Sequence, residues 1–236
     1  MNKLLLTILL SVTVLVGLSA PGWSQATWEG PTGVFLNPLA LTLPAGTSQA
    51  SAHYLDLNPV GALSTEGLSF GFKGNWEAGL TRADLAVKGL TDLDVIHAKW
   101  VALPAKNGVP SVALGGIYRH TEGGPDTSDF YLAATDIFPL STPLIASVTV
   151  RNTNGLGSGL FGEEGTRSTV LGGFVGIVPV KKLIVGVEYY AQPHALPWED
   201  VAARWNVDPN TNIDAGLAKI TDTLDSQFAV GLSHRW

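Results

Sequence analysis

The 236-residue sequence has no cysteine, one methionine and few charged residues, which make up only 14% of the chain. Without cysteine the chain forms neither disulfide bonds nor a thiolate metal site, so hydrogen bonding and burial must hold its fold. About a quarter of the residues in a soluble domain are usually charged, so this content is low for a soluble domain. The formal charge of −6 gives no electrostatic basis for binding nucleic acid.

Long apolar runs are also scarce, and the one at the N-terminus has the form of an export signal. Lys3 precedes an apolar run over residues 4–18 that no charge interrupts, and Ser24, Gln25 and Ala26 offer the small residues that a signal peptidase recognises. A membrane-spanning helix needs ~20 apolar residues, so this run is short for one. We expect a signal peptide over residues 1–26 that is cleaved after Ala26. The alternative is an uncleaved membrane anchor.

The rest of the chain is rich in turn residues, with 27 glycines and 14 prolines, and strand-like runs recur between the turns. We predict one barrel domain over residues 47–236. Its predicted strands are 47–57, 67–73, 76–84, 93–103, 110–120, 128–136, 143–152, 168–178, 183–191, 200–207, 212–220 and 227–236. Short and long connectors alternate between these runs, as they do in up-and-down barrels with tight turns at one end and longer loops at the other.

Apolar and polar residues alternate within the runs, which gives each predicted strand two different faces. Trp76, Ala78 and Leu80 share one face of their run, whereas the other face carries Glu77 and Gly79. A soluble sandwich would bury the apolar face. The polar face is rich in glycine, which crowding inside a narrow barrel explains better. We therefore predict an all-β fold, a transmembrane up-and-down antiparallel β-barrel of about 12 strands, with 10–14 possible.

Aromatic residues gather at the ends of the predicted strands, as expected for rings at the two interfaces of a bilayer. Aromatic residues are also enriched in strands generally, so this pattern alone does not separate the alternatives. The predicted interface aromatics are Trp76, Trp100, Tyr118, Tyr189, Trp205 and Trp236.

Charged residues fall on the predicted inward face, where ionisable groups of a membrane-spanning element normally lie and pair. The predicted lumen-lining residues are Lys73, Glu77, His97, Lys99, Arg119, Arg151, Glu188, Arg204, Asp214 and Arg235. Six are basic and three are acidic. They are either a network of ion pairs that fills a narrow lumen or the lining of a charge-selective pore with a weak preference for anions.

Both ends of the predicted mature chain resemble bacterial outer-membrane proteins. Residues 227–236 end in Trp236 and carry Phe228, Val230 and Leu232 at alternate positions, which resembles the terminal sorting signal of Gram-negative outer-membrane barrels; His234 departs from it. This resemblance implies an outer-membrane location, contact with outer-membrane lipid and recognition by the barrel-assembly machinery. The opening at residues 30–38 and 43–46 is similar to that of many poorly characterised outer-membrane proteins and implies membership only.

Residues 27–46 form an N-terminal segment that precedes the predicted barrel. Pro38 and Pro44 make a regular internal strand unfavourable there, because proline cannot donate to the ladder. We expect the segment at the barrel mouth or in the lumen, or as a short edge strand.

The leading functional expectation is a narrow porin-like channel for small hydrophilic solutes. The alternatives are a closed barrel whose outer loops bind a partner and a lipid-acting enzyme based on His97. We expect no metal, since no two histidines have metal-ligand spacing, and no cofactor. We also expect no enzyme and no catalytic residue, since no serine lies in a recognisable nucleophile setting. Gly157, Gly159 and Gly162 mimic a phosphate-binding loop, but two glutamates and a strand follow them. The solute and the oligomeric state stay open.

Overall fold

The computed structural model describes residues 26–34, 37–57, 61–86, 92–106, 108–122, 124–154, 167–191, 198–219 and 227–236. The predicted signal peptide, apart from Ala26, and the glycine pattern at 157–162 lie outside the described residues. The described part contains no helix that is both long enough and apolar enough to cross a membrane.

Twelve antiparallel strands form one closed barrel in which each strand pairs with its neighbours in sequence and β1 pairs with β12. The strands are β1 (Ser48–Asp56), β2 (Ala62–Phe72), β3 (Trp76–Leu85), β4 (Leu93–Leu103), β5 (Ser111–Thr121), β6 (Thr127–Phe138), β7 (Leu144–Thr153), β8 (Ser168–Val180), β9 (Leu183–Ala191), β10 (Trp198–Asn206), β11 (Thr211–Lys219) and β12 (Gln227–Arg235). The predicted fold class and the strand number of 12 are confirmed.

The barrel closes where the first strand meets the last residue of the chain. The Ser48 amide donates to the Trp236 carbonyl at 3.0 Å, and the Trp236 amide donates to the Ser48 carbonyl at 2.9 Å. Gln49 then pairs with Arg235, and the register continues to Leu55 opposite Ala229. Because every strand has two partners, the sheet has no unpaired edge.

Short turns lie at one end of the barrel, which we call the termini end because it also holds the start of β1 and the end of β12. The opposite end, here the loop end, holds the remaining connections. The β2–β3 turn at the termini end has positive φ at Gly74 and Asn75, 81° and 63°. Two successive positive φ angles give the turn type whose twist suits a tight hairpin.

Burial alternates along most strands, with the buried charged side chains on the inner face and the exposed large apolar side chains on the outer face. In β4, His97 and Lys99 are 1% exposed, whereas Ile96 is 59% and Trp100 37% exposed. Outward residues near the middle of other strands, such as Leu80 and Val148, are also more than half exposed. The alternative of a soluble sandwich that buries these apolar residues is therefore wrong.

The six predicted interface aromatics lie on the outer surface near strand ends, between 37% and 47% exposed. Trp76 and Trp100 are register partners at the termini end, and their rings stack with centroids 5.5 Å apart. Tyr118 lies near the loop end and its hydroxyl donates to Asp126. Hydrogen bonds from Tyr118 and from His120 hold the pKa of the Asp126 carboxyl below its usual range.

The main departure from the predicted strands is at β2, which begins at Ala62 rather than at residue 67. Leu63 and Thr65 point inward and pair with β1 and β3. The sheet therefore includes a stretch that the sequence pattern predicted to be a loop. Pairing on both sides outweighs the weak strand propensity of its serine and glutamate. The strand also ends one residue early, at Phe72.

The chain before β1 lies inside the barrel. We call residues 26–43 the inner segment; its described residues are buried except Leu41 and Thr42, which are half-buried. A tight hairpin centres on a bridge between Gly33 and Pro38, and the Leu39 amide donates to the Thr32 carbonyl at 3.1 Å.

Candidate functional site

Nine of the ten predicted lumen-lining residues lie inside the barrel, each at most 6% exposed. Lys73 is the exception, because it is exposed in the β2–β3 turn, one residue beyond the end of β2. Eight of the nine form three groups of contacts, to each of which the inner segment contributes, whereas Arg235 binds a turn.

The first group lies toward the loop end and contains two arginines, Arg119 on β5 and Arg151 on β7. Asp129 on β6 accepts two hydrogen bonds from Arg119, at 3.1 and 2.8 Å, and lies 3.3 Å from Arg151. Glu29 of the inner segment binds both arginines. It accepts from Arg119 Nε at 2.8 Å and, through its second oxygen, from Arg151 Nη1 at 3.0 Å.

The second group lies toward the termini end and centres on Glu77 of β3. Its carboxylate accepts from the amides of Thr32 and Leu43, at 2.7 and 2.8 Å, and from the Thr32 hydroxyl. Lys99 lies 3.4 Å from Glu77 and donates to the Thr32 carbonyl at 2.6 Å and to the Leu39 carbonyl at 3.3 Å. Glu77 and Lys99 therefore hold both arms of the inner hairpin.

The third group lies on the opposite wall. Arg204 forms a bidentate pair with Asp214, at 2.6 and 2.9 Å, and donates to the Gly33 carbonyl at 3.2 Å. Glu188 accepts from the Asn37 amide at 3.2 Å. Arg235 binds the β10–β11 turn instead, through the Pro209 carbonyl and the Asn210 side chain.

The inner segment is bound around most of the wall, since each strand from β2 to β10 shares at least one hydrogen bond with it. Besides the residues above, the partners are Ser69, Thr81, Thr135, Thr149 and Gly173. Among the described residues, two cavities beside the segment have volumes of about 30 and 20 Å³, room for about one or two water molecules each. The segment therefore occupies much of the lumen that the described residues enclose.

Glycine on the inward face lets the segment approach the wall. A side chain at Gly71 would clash with the carbonyls of Leu43 and Pro44. Gly30 of the segment has a φ of +106° and lies against Thr81 and the His97 ring, so both its conformation and its surroundings favour glycine. The inward glycines noted in the sequence therefore accommodate packed groups.

Several residues of the site escaped the sequence analysis. Asp129 and Asp200 are inward and no more than 6% exposed, which brings the charged residues on the described strands' inner face to five basic and five acidic. The expected excess of basic residues in the lumen is therefore wrong. Asp129 lies in phase with inward Tyr131, a signal that its strand offered. Glu29 precedes any periodic pattern, so nothing in its surrounding sequence indicates its role.

His97 does not form the arrangement expected of a hydrolase. Its Nε2 atom lies 3.4 Å from Ser69 Oγ and 4.0 Å from Glu77 Oε1, so both groups approach the same ring nitrogen. A catalytic triad places the carboxylate on the other nitrogen. The ring is 1% exposed and lies beneath Gly30. Within the described residues, no group of three histidine or acidic side chains could hold a metal ion.

Comparison with known proteins finds similarity of structure alone. No protein-family model and no curated protein sequence matches the chain. The KdgM porin matches with a TM-score of 0.63 and 13% identity, over 79% of this chain and 98% of that one. The NanC porin matches with a TM-score of 0.57 and 9% identity over 79% and 98% of the two chains.

The outer membrane protein Omp33 of Acinetobacter baumannii matches with a TM-score of 0.51 and 14% identity, over 80% of this chain and 97% of that one. KdgM has also been solved in complex with disordered oligogalacturonate, and that structure matches with a TM-score of 0.60. The matches cover nearly the whole length of each of these three proteins. At these identities the likeness concerns the fold, and the 12-stranded barrel of this chain matches these outer-membrane structures.

Proposed function

We propose that the protein is an exported outer-membrane barrel that gives small hydrophilic solutes a passage, which its own inner segment closes in the state described. One observation carries the proposal. The charged wall of a porin-fold barrel is bound to a segment that lies outside the sheet and joins it only at β1. If the lumen served packing alone, apolar side chains would stabilise it as well or better, because buried ion pairs contribute little net stability.

The outer-membrane location rests on the outer surface of the barrel. Apolar residues cover its middle, and amphipathic rings occupy both ends, as in barrels that span a bilayer. In this proposal residues 1–26 direct export. The outward side chains of β12, which include Phe228 and the terminal Trp236, are recognised by the barrel-assembly machinery.

A pair of variants tests this location. Val148→Arg places a charge at the middle of β7, where the side chain is 64% exposed, and should lower the free energy of unfolding in lipid vesicles by about 2–4 kcal/mol. Val180→Arg, at the strand end beside a turn and 54% exposed, is the matched control and should lower it by at most about 1 kcal/mol. Denaturant titration measures both losses. Equal losses at the two positions would contradict a bilayer centred on the middle of the strands.

Conductance tests the passage. In planar bilayers the full mature chain should be closed most of the time, whereas a variant lacking residues 27–43 should conduct continuously, because it loses the segment that fills the lumen. Heat-modifiable gel migration checks that the deletion variant has formed a barrel.

A folded deletion variant that conducts no more than the full chain would refute the passage. The hydrogen bonds that join the segment to each strand from β2 to β10 would then favour the second candidate, a closed barrel whose loop end binds a partner.

A further inference from the structure

The inner face of four neighbouring strands changes from polar to apolar toward the loop end. Nearer the termini end, β3 and β4 carry Glu77, His97 and Lys99 inside, whereas the inward positions at the loop end of β1–β4 are apolar. We call these inward residues the apolar patch: they are Leu55, Leu57, Leu63, Leu85, Leu93 and Val95. All are at most 7% exposed except Leu55, which is half-buried. Such a lining offers nothing to a hydrophilic solute and indicates a site for an apolar group.

Trp28 of the inner segment lies against the apolar patch. The residue is 7% exposed and belongs to the same buried hydrophobic cluster as Leu57, Leu63 and Leu93. An indole ring is a large apolar surface that carries a single polar atom. The side chain that occupies the patch therefore shows which class of molecule the patch takes, namely a flat ring without charge.

The fit of Trp28 to this site is incomplete in two respects. Its indole Nε1 atom is buried and has no hydrogen-bond partner among the described residues, which is unfavourable for a donor that water would otherwise bind. A cavity of about 30 Å³ also remains beside Trp28, lined among others by Leu55, Leu63, Ala218 and Ala229. The side chains around such a space lose van der Waals contacts. A free ring that lacks the donor and can settle deeper therefore fits the patch better than Trp28 does.

We propose that the apolar patch is a binding site for a small neutral aromatic molecule, that Trp28 is its internal occupant in the state described, and that such a molecule binds by replacing the Trp28 side chain. The inference goes beyond the proposed passage, because binding does not require the barrel to conduct. Glu77, Lys99 and Arg204 hold the hairpin of the segment through contacts that do not involve Trp28. Replacement therefore frees only the part of the segment nearest the loop end.

Trp28→Ala empties the site and leaves the rest of the segment in place. Benzofuran, an apolar bicyclic ring of the size of indole, should bind this variant in detergent solution with a dissociation constant of about 0.1–1 mM, measured by calorimetric titration. The wild-type chain should bind it at least about ten-fold more weakly, because Trp28 must leave before the ligand enters. Indole should bind Trp28→Ala about five-fold or more weakly than benzofuran, since its N–H group is buried without an acceptor.

A matched pair of substitutions on β11 shows whether the ligand binds inside the barrel. Ala218 lines the cavity, whereas Ala215 lies on the outer face of the same strand. Trp28→Ala with Ala218→Phe fills the emptied site and should weaken benzofuran binding by at least about ten-fold. Trp28→Ala with Ala215→Phe should keep the affinity, and it corrects for ligand that the detergent takes up. Heat-modifiable gel migration checks that each variant has formed a barrel.

A cysteine reporter tests replacement of Trp28 in a chain that keeps this residue. The sequence has no cysteine, and the Thr27 hydroxyl is buried without a hydrogen-bond partner in the part of the chain that the structure describes, so Thr27→Cys should fold. Millimolar benzofuran should accelerate maleimide labelling of this variant by about three-fold or more, because residue 27 leaves the interior together with Trp28. Ser111→Cys is the control: Ser111 is 2% exposed on the inner face of β5 near the termini end, so its labelling should not change.

The outcomes bear on the site separately from the passage. The site is refuted if folded Trp28→Ala does not bind benzofuran, if the Ala218→Phe and Ala215→Phe variants bind it equally, or if benzofuran leaves the labelling of Thr27→Cys unchanged. Tighter binding of indole than of benzofuran also refutes it, because the site would then offer the N–H group an acceptor. If benzofuran binds as expected and the deletion variant lacking residues 27–43 does not conduct, the passage is refuted and the site stands.

Discussion

Replacing Glu77 with leucine should lower the free energy of unfolding by about 3–5 kcal/mol and detach the inner segment at the termini end. The carboxylate accepts from Thr32 and Leu43 of the segment and neutralises Lys99, all inside the barrel. Its removal leaves a buried ammonium group without its counter-charge and two buried amides without their acceptor. Removing one partner of a buried ion pair lowers stability far more than replacing both partners with apolar residues of similar volume.

Denaturant titration of the refolded barrel in vesicles measures the loss in stability, and chymotrypsin cleavage after Trp28 measures release of the segment. Glu66→Leu is the matched control, because Glu66 is exposed on the outer face of β2, and it should change stability by at most about 0.5 kcal/mol. A loss for Glu77→Leu as small as that of the control would show that the segment is not held there.

Replacing Arg119 with leucine should lower the free energy of unfolding by a similar amount, about 3–5 kcal/mol, and a second substitution should recover much of it. The wild-type cluster balances Arg119 and Arg151 against Glu29 and Asp129. The single variant leaves two buried carboxylates around one guanidinium. Arg119→Leu with Glu29→Leu restores one charge of each sign, Arg151 with Asp129.

The double variant should therefore be more stable than Arg119→Leu, by at least about 1 kcal/mol, which is the non-additivity expected of residues in one network. Arg82→Leu is the matched control. Its partners Asp84, Asp92 and Asp94 are at least 39% exposed on the side chain, and exposed pairs contribute about 0–1 kcal/mol. Additive losses in the double variant would contradict the shared cluster, as would a loss for Arg82→Leu equal to that for Arg119→Leu.

The barrel wall was predictable because a membrane barrel carries a two-residue period that a single sequence displays. Where one face is charged and the other apolar, as in β4 around His97 and Lys99, the period identifies both the strand and its inward face. The two-residue period failed to predict a strand where pairing with neighbouring strands, rather than the sequence pattern, decides the structure. Ala62–Phe72 became a strand of full length because β1 and β3 both pair with it.

The inner segment was not predictable in the same way. The segment has no period, and it is held by partners on nine different strands that come together only in the closed barrel. Glu29 has no neighbour in sequence that reveals Arg119, 90 residues away. Lys73 shows the opposite error, since extending the period by one residue placed a turn side chain inside. Local pattern predicts faces, whereas long-range partners decide what fills the space between them.

The enclosure of the inner segment constrains the order of assembly. The wall around it is complete only when Ser48, at the start of β1, meets Trp236, which follows β12. Residues that precede the first strand are therefore surrounded by a ring that the twelfth strand closes. Either these residues are held among the growing strands before that seam forms, or they thread through the mouth afterwards. In the first case the segment acts as a template on which the curved sheet is built.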